Sequence, residues 1–197
     1  LYVRINNSQI PNDEHPFTIS SSPTQNDFVA VTAKQLGDFT SKLNNVKVGD
    51  SAYVDGPFGT FSYLNKSKYR KICFIAGGIG ITPFLGMLRY MNEMDKNNEG
   101  VLLWGARDLS ELICKSELDG YAKEFKNFTF VPVLSNDNNF VGEKGYITTN
   151  VIQKYVPAIL EYDFYICGPP IMLEVQLENL KKLGISKKNI HFERFAM

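Results

Sequence analysis

Residues 71–94 limit the possible folds of this chain more than any other stretch. Residues 71–76 form an apolar run of a length that suits a strand buried on both faces. Three glycines, Gly77, Gly78 and Gly80, follow within four residues, and residues 84–94 then place apolar side chains at helical spacing. Strand, glycine turn and helix in that order predict one step of a parallel α/β sheet. Backbone without Cβ atoms lets a ligand come close, and the first turn of a helix offers unpaired N–H groups and the positive end of a dipole. A pyrophosphate suits both features. Thr82 can cap the helix or donate its hydroxyl to a phosphate, and Pro83 suits a first helical position, where the N–H it lacks has no helical use. The glycine spacing is not the G-x-G-x-x-G of ordinary dinucleotide folds, so on this stretch alone a tight turn without a ligand stays open.

A chain of 197 residues is long enough to bury a proper core in roughly one to two domains. Its 21 basic and 21 acidic side chains cancel, so no basic footprint argues for a nucleic-acid partner. The three cysteines, Cys73, Cys114 and Cys167, are odd in number and far apart, which gives neither a disulfide framework nor a metal-ligand cluster; no metal site is expected. No apolar run approaches the roughly twenty residues of a membrane-spanning helix, and no signal-peptide pattern is present. These residues read as a soluble unit. The start at Leu1, directly in a strand-like run, predicts a domain belonging to a longer protein.

The first third is β-like. Residues 1–5, 15–20, 28–32 and 51–54 are short alternating or β-branched runs between Asn-, Ser-, Pro- and Gly-rich turns. One short helix is expected at 37–43, with Asp38 as N-cap and Phe39 and Leu43 on one face. Several short strands with one helix suggest a small barrel or its remnant. Further on, residues 71–76, 101–106, 128–134, 163–167 and 189–195 read as strands, and 82–95, 110–124, 148–156 and 170–183 as helices. The fold class is therefore α+β followed by α/β: a truncated antiparallel β-barrel over 1–66, then a parallel, Rossmann-like α/β domain over 67–197. The polar patch at 65–68 marks the boundary.

Four further stretches, His15-Pro16-Phe17-Thr18-Ile19-Ser20-Ser21, Gly37-Asp38-Phe39-Thr40, Asp55-Gly56-Pro57-Phe58-Gly59 and Cys167-Gly168-Pro169-Pro170-Ile171-Met172, stand in a fixed order with the glycine turn. Together they resemble the ferredoxin-reductase-like flavoproteins. The His-Pro-Phe-Thr version, and the ending Phe192-Glu193-Arg194-Phe195, resemble the branch of NADPH oxidases and ferric reductases. The resemblance covers nearly the whole chain, and it implies barrel strands ahead of Leu1 that these residues do not contain.

The same resemblance implies an antiparallel barrel that binds FAD and a second domain that binds NADPH, with NADH possible. His15, Pro16, Phe17, Thr18 and Ser21 would line the FAD, with Phe17 against the isoalloxazine and Thr18 hydrogen-bonded near the flavin atom that receives hydride. His15 stands where most relatives have arginine, and it would pair with the FAD phosphates when protonated. Gly37, Asp38 and Thr40 would cradle the FAD pyrophosphate. Gly78, Gly80 and Thr82 would hold the pyrophosphate of NAD(P)H, with Gly168, Pro169 and Met172 beside it. Arg107, at the end of the second strand, would favour a 2′-phosphate and hence NADPH, assisted by Lys115.

Four residues would carry the chemistry: Thr18, Cys167, Glu193 and Phe195. In the family the Cys167 sulfur sits beside the nicotinamide and positions it without acting as a covalent nucleophile. Glu193 would lie near that pocket, and Phe195 would stack on the isoalloxazine as a movable gate. Three have a plain structural alternative: Thr18 in an ordinary half-buried strand, Cys167 as a small core hydrophobe and Phe195 as a terminal strand residue filling the core.

The function this implies is the dehydrogenase domain of an NADPH oxidase or ferric reductase-like flavocytochrome at the cytoplasmic face of a membrane. Its electrons would pass to haems in a transmembrane domain of the same polypeptide and on to oxygen, giving superoxide or hydrogen peroxide, or to ferric iron. The alternative is a soluble flavin-dependent NAD(P)H reductase serving a diffusible acceptor or an oxygenase. A non-catalytic nucleotide-binding fold is the remaining reading.

Overall fold

A computed structural model describes residues 1–66, 71–95 and 97–195, with Lys66 described by its backbone only. The amino-terminal unit contributes β1 (Tyr2–Asn6), β2 (His15–Pro16), a 3-10 helix (Thr40–Asn45) and β3 (Ser51–Asp55), and α1 (Tyr63–Lys66) leads out of it. β1 lies between β2 and β3 in an antiparallel sheet, with Tyr2 opposite Pro16 on one side and Asp55 on the other. The period-2 alternation of β1 buries Val3 and Ile5, which join Ile10 and Phe39 in a small core flanked by Leu1, Phe17 and Leu43.

The described residues of this unit form an open three-stranded sheet instead of a closed barrel, and all five residues of β3 are exposed. The expected strand at 15–20 ends after Pro16, and the expected strand at 28–32 is reduced to a single bridge between Ile19 and Val31. The expected helix at 37–43 is a 3-10 helix one turn later, with Phe39 at its N-cap and no side-chain cap. Asp38 therefore does not cap it. Thr40 does the equivalent work from inside the turn, its Oγ1 accepting from the backbone N–H groups of Leu36 and Gly37 at 3.0 Å each.

The second unit runs β4 (Lys71–Gly77), a 3-10 turn (Gly78–Ile81), α2 (Thr82–Met94), β5 (Glu99–Ala106), α3 (Lys115–Glu124), β6 (Phe128–Leu134), β7 (Glu143–Lys144), α4 (Thr149–Tyr155), β8 (Asp163–Gly168), α5 (Pro170–Lys182) and β9 (Ile190–Arg194). The six strands make a parallel sheet in the order β7-β6-β5-β4-β8-β9. Alternate residues of the central strands feed two cores. Ile72, Phe74 and Ala76 face Phe84, Leu85, Leu88 and Met91 of α2, whereas Cys73 and Ile75 face Val151 and Ile152 of α4 and Leu173 and Leu180 of α5. Burial on both faces explains why β4 and β8 read as continuous apolar runs.

The helix expected at 110–124 starts only at Lys115. A separate 3-10 turn occupies Leu109–Glu111, and Cys114 between them takes a left-handed conformation with φ 56°, which breaks the helical path. The boundary expected between 1–66 and 67–197 falls on residues 67–70, outside the described residues.

The two units meet along one side of α2. A Cβ on Gly86 would come within 2.9 Å of the Ser21 carbonyl oxygen, so a mid-helix glycine lets the backbone of residues 19–21 lie against α2. Arg89 fastens this contact. It donates to the carbonyl of Ser20 in the first unit and, through Nε and Nη2 at 2.7 Å each, to the carboxylate of Glu117 on α3. Glu93 accepts from Ser22 at 2.8 Å and from the Thr24 hydroxyl, and Lys34 reaches Glu111 at 3.0 Å.

Candidate active site

The strand order reverses between β4 and β8: the chain moves one way from β4 to β5 and β6, and the other way from β8 to β9. In open α/β sheets the crevice beyond the carboxyl ends of two such strands is where ligands bind. Here that crevice is made by the glycine turn after β4 and the Cys167-Gly168-Pro169 turn after β8. Ala76, Cys167 and Glu193 are partners in one register row across β4, β8 and β9.

The two turns are packed backbone against backbone. A Cβ on Gly80 would lie 2.6 Å from the carbonyl carbon of Cys167 and 2.8 Å from Cα of Gly168, and closer still to the Cys167 oxygen. Gly80 is buried, so its missing side chain serves the contact between the turns and not a ligand. A Cβ on Gly77 would meet the Met172 sulfur and lie 3.0 Å from Pro169 Cδ, which places Met172 and Pro169 over the end of β4. Gly78 differs. It has φ +52° and open space where a side chain would be, the feature that close approach by a ligand needs.

Gly78 is also held from below. The indole N–H of fully buried Trp104 donates to its carbonyl oxygen at 2.9 Å. The sequence marks Trp104 as core, which it is; that it fixes the glycine turn depends on β4 and β5 pairing Ala76 with Trp104, a register no local pattern announces. Thr82 departs from expectation. It is 2% exposed and its hydroxyl donates to the Ile79 carbonyl at 3.1 Å, so it braces the turn and does not offer that proton to a phosphate. Ile81, not Thr82, occupies the N-cap of α2, and Pro83 sits in the first turn as predicted.

Cys167 is fully buried, and burial, reinforced by the carboxyl of Glu193, pushes its thiol far above the ordinary range. A thiol held neutral is no nucleophile at physiological pH, which agrees with a positioning role. Burial likewise raises the Glu193 carboxyl above its usual value, opposed by the amino terminus at Leu1. Phe195 is half-buried and packs on the core that contains Cys167 and Trp104.

Arg107 stands at the end of β5, as expected, with its side chain 69% exposed and paired to Glu111. Its Nε and Nη2 lie 2.8 and 2.6 Å from Glu111 Oε1, and its backbone N–H donates to Glu111 Oε2 at 2.9 Å. Those bonds hold the Glu111 carboxyl down at about 2. Lys115 is paired too, with Asp119 at 2.6 Å. Glu111 was missed in the sequence; the i,i+4 spacing from Arg107 was the available signal.

On the flavin side, His15 stacks on Phe39 with ring centroids 4.0 Å apart. Its Nε2 is buried and makes no hydrogen bond among the described residues, the state of a group awaiting an external partner. Thr18 is half-buried, and its hydroxyl makes no hydrogen bond among the described residues either. Phe17 turns partly into the small core, 6.0 Å from Phe39, and Pro16 is exposed. Ser21 is buried, and its Oγ accepts from the Ala30 N–H at 3.1 Å, an internal brace and not a ligand contact. At 37–40 the N–H of Gly37 is already taken by Thr40. The residues fit a flavin through His15, Pro16 and Thr18; in the pyrophosphate cradle expected of Gly37, Asp38 and Thr40, the Gly37 N–H is already used inside the turn.

Residues 74–177 match the family described as the oxidoreductase NAD-binding domain, and residues 1–68 match one described as an FAD-binding domain. The chain belongs to the NAD-binding oxidoreductase family. With an FAD-binding sheet ahead of its parallel NAD-binding sheet, this oxidoreductase has the ferredoxin-reductase-like fold. It is 31% identical over 194 residues to the toluate 1,2-dioxygenase electron transfer component of Pseudomonas putida, covering 96% of this chain and 57% of that protein. It is 30% identical over 194 residues to the reductase component of the propane 2-monooxygenase of Mycolicibacterium smegmatis, covering 93% of this chain and 55% of that protein. The fold matches the crystal structure of the Amycolatopsis cytochrome P450 reductase GcoB with a TM-score of 0.83 at 24% identity, over 98% of this chain and 60% of that one. The oxidoreductase chain thus spans about half the length of the curated relatives it matches.

Proposed function

We propose that this chain is the flavin- and nicotinamide-binding module of a reductase that passes electrons from NAD(P)H to a separate acceptor, as in an oxygenase system. The observation that carries this reading is the joining, in one chain, of an FAD-binding match and an NAD-binding match whose parallel sheet reverses its strand order between β4 and β8. The relatives support it: they are named as reductase or electron-transfer components of oxygenases.

The chain's own residues then have distinct tasks. Gly78 receives the nucleotide pyrophosphate on a turn that Trp104, Thr82 and Gly80 keep in place. The neutral Cys167 thiol and the Glu193 carboxyl beside it in register shape the nicotinamide pocket. Phe195, the half-buried end of the described chain, gates that pocket, and Thr18 and His15 supply the free polar groups that orient the flavin. When bound, FAD would take up hydride and release electrons singly, which is chemistry no side chain here can do.

The His-Pro-Phe-Thr strand and the Phe192-Glu193-Arg194-Phe195 ending favour a second reading, an NADPH oxidase or ferric reductase module whose electrons go to transmembrane haems of the same polypeptide at a cytoplasmic membrane face. Among the described residues no helix is long and apolar enough to cross a membrane. Anaerobic stopped-flow reduction of the FAD-loaded protein by NADH and by NADPH tests the common core of both readings. Rapid bleaching of the flavin band is expected, followed by slow reoxidation with oxygen and fast reoxidation with a ferredoxin-type acceptor. Tight flavin binding that neither nucleotide bleaches would overturn the proposal.

A further inference from the structure

Helix α2 touches both halves of the candidate site. Its first turn follows the glycine turn at 78–81, and one stripe of its surface, Gly86, Arg89 and Glu93, faces residues 19–24 of the flavin-binding unit. Steps of three and four residues put these side chains on one helix face. Thr18 stands two residues before Ser20, so the segment pressed on α2 continues the one that lines the flavin in the proposed module.

Arg89 makes the charged contact of this stripe with two elements at once. Its Nη1 donates to the Ser20 carbonyl, and the edge formed by Nε and Nη2 makes a bidentate pair with Glu117 at 2.7 Å each. Both ends are held. Ser20 is 1% exposed, its N–H donates to the Ala30 carbonyl at 2.8 Å, and its hydroxyl lies 2.9 Å from that of Thr32. Glu117 sits in the first turn of α3, accepts from the Tyr121 hydroxyl at 2.7 Å, and precedes the fully buried Leu118. The Arg89 side chain is 23% exposed. Its bonds hold the Glu117 carboxyl below the usual carboxylate range against the opposing effect of burial, so the pair is charged at neutral pH.

Hydride transfer needs donor and acceptor atoms about 3–3.5 Å apart and aligned, and a misplacement of about 1 Å can cost about a hundredfold in rate. The nucleotide turn lies at the start of α2, and the flavin-lining segment is tied to its middle. Gly86 permits that approach, and Arg89 fixes it. We infer that Arg89 is a positioning residue for hydride transfer: by tying the Ser20 carbonyl to α2 and α3, it sets where the flavin-lining segment stands relative to the nicotinamide crevice. The inference rests on the reading of the chain as a flavin- and nicotinamide-binding module.

Two readouts separate positioning from plain stability. Amide hydrogen exchange on the purified protein reads the tether without catalysis, and Arg89→Leu is expected to raise exchange across residues 18–22 about tenfold or more. Anaerobic stopped-flow with the better of NADH and NADPH, and with its C4-deuterated form, reads the chemistry. The limiting rate of flavin bleaching should fall about tenfold to a hundredfold, with the isotope effect retained and the nucleotide dissociation constant little changed. Arg89→Lys keeps the charge but cannot reach the Ser20 carbonyl and both Glu117 oxygens together, so its rate should fall between. Val156→Ala, in the core on the other face of the sheet, is the control for lost stability and should leave the rate as it was. An unchanged limiting rate in Arg89→Leu, loss of the isotope effect, or an equal fall in Val156→Ala overturns the inference while leaving the module's function standing. If Arg89→Leu does not hold flavin, Glu117→Gln, which removes the charge that anchors Arg89, reads the same quantities, and unchanged rate and exchange there overturn the inference. FAD-loaded unaltered protein that neither nucleotide bleaches overturns the functional reading itself, and this inference with it.

Discussion

Gly80→Ala separates two explanations of a glycine-rich turn. If the glycines serve local backbone preference, alanine at Gly80 should help, because Gly80 sits in a 3-10 turn leading into α2 and no left-handed φ is required there. Gly to Ala in such a conformation gains about 0.5–1 kcal/mol. The packing argues the other way. The new methyl would stand 2.6 Å from the carbonyl carbon of Cys167 and 2.8 Å from Gly168 Cα, and both belong to β8, which is held on one side by β4 and on the other by β9. Neither atom is the end of a flexible side chain, so strand or turn must shift, and overpacking of this kind costs about 1–3 kcal/mol. With rigid backbone on both sides the upper part of that range applies, leaving a net loss of about 2 kcal/mol. For a chain of this size that is a fall in melting temperature of about 4–8 °C. Thermal melts followed by circular dichroism, with and without NADH, check it: the fall should be present without nucleotide, and NADH binding should weaken because the turn carrying Gly78 has moved. Gly78→Ala is the control, with open space but a left-handed φ of +52°, so its cost is confined to backbone strain of about 1–2 kcal/mol. An unchanged or raised melting temperature in Gly80→Ala would refute the packing account of the site.

Trp104→Phe removes the donor to the Gly78 carbonyl and shrinks a fully buried ring; an orphaned acceptor costs about 1–3 kcal/mol, read as a drop of about 2–4 °C in melting temperature for each kcal/mol. Glu193 tests the linkage between charge and stability. Its carboxyl is raised in the folded chain by burial, so the folded state holds its proton to higher pH than the unfolded state, and the group costs stability as pH rises through and above the usual carboxylate range. Glu193→Gln should therefore gain on the unaltered protein between about pH 4 and pH 7 in urea titrations; a constant difference across that range would count against a buried, raised carboxyl.

Much of the fold was legible because the α/β unit obeys local rules. Lys71–Gly77 and Asp163–Gly168 are apolar throughout their middles because helices cover both faces, and the helices stop where residues such as Asp95 and Gly184 allow. The amino-terminal unit was harder. Strand runs such as 28–32 need a neighbour to become strands, and here only Val31 finds one, so propensity without pairing left an open three-stranded sheet.

The site divides along the same line. Residues whose role lies in the absence of a side chain, Gly77, Gly78, Gly80 and Gly168, announce themselves in sequence as a pattern, yet the pattern does not say which glycine faces a ligand and which faces another backbone. Only pairing of β4 with β8 decides that Gly80 is consumed by packing and Gly78 is not. Polar residues mislead for a related reason. Thr82, Ser21, Thr40 and Arg107 each look like ligand contacts when read singly, and each is bound within the chain: Thr82, Thr40 and Arg107 by residues three or four away, Ile79, Gly37 and Glu111, and Ser21 by Ala30, nine away. A hydrogen-bonding group in a folded chain is available to a ligand only if the chain has left it unpaired. By that criterion the His15 Nε2 remains a group that a flavin would find, whereas Arg107, although exposed, already has a partner in Glu111.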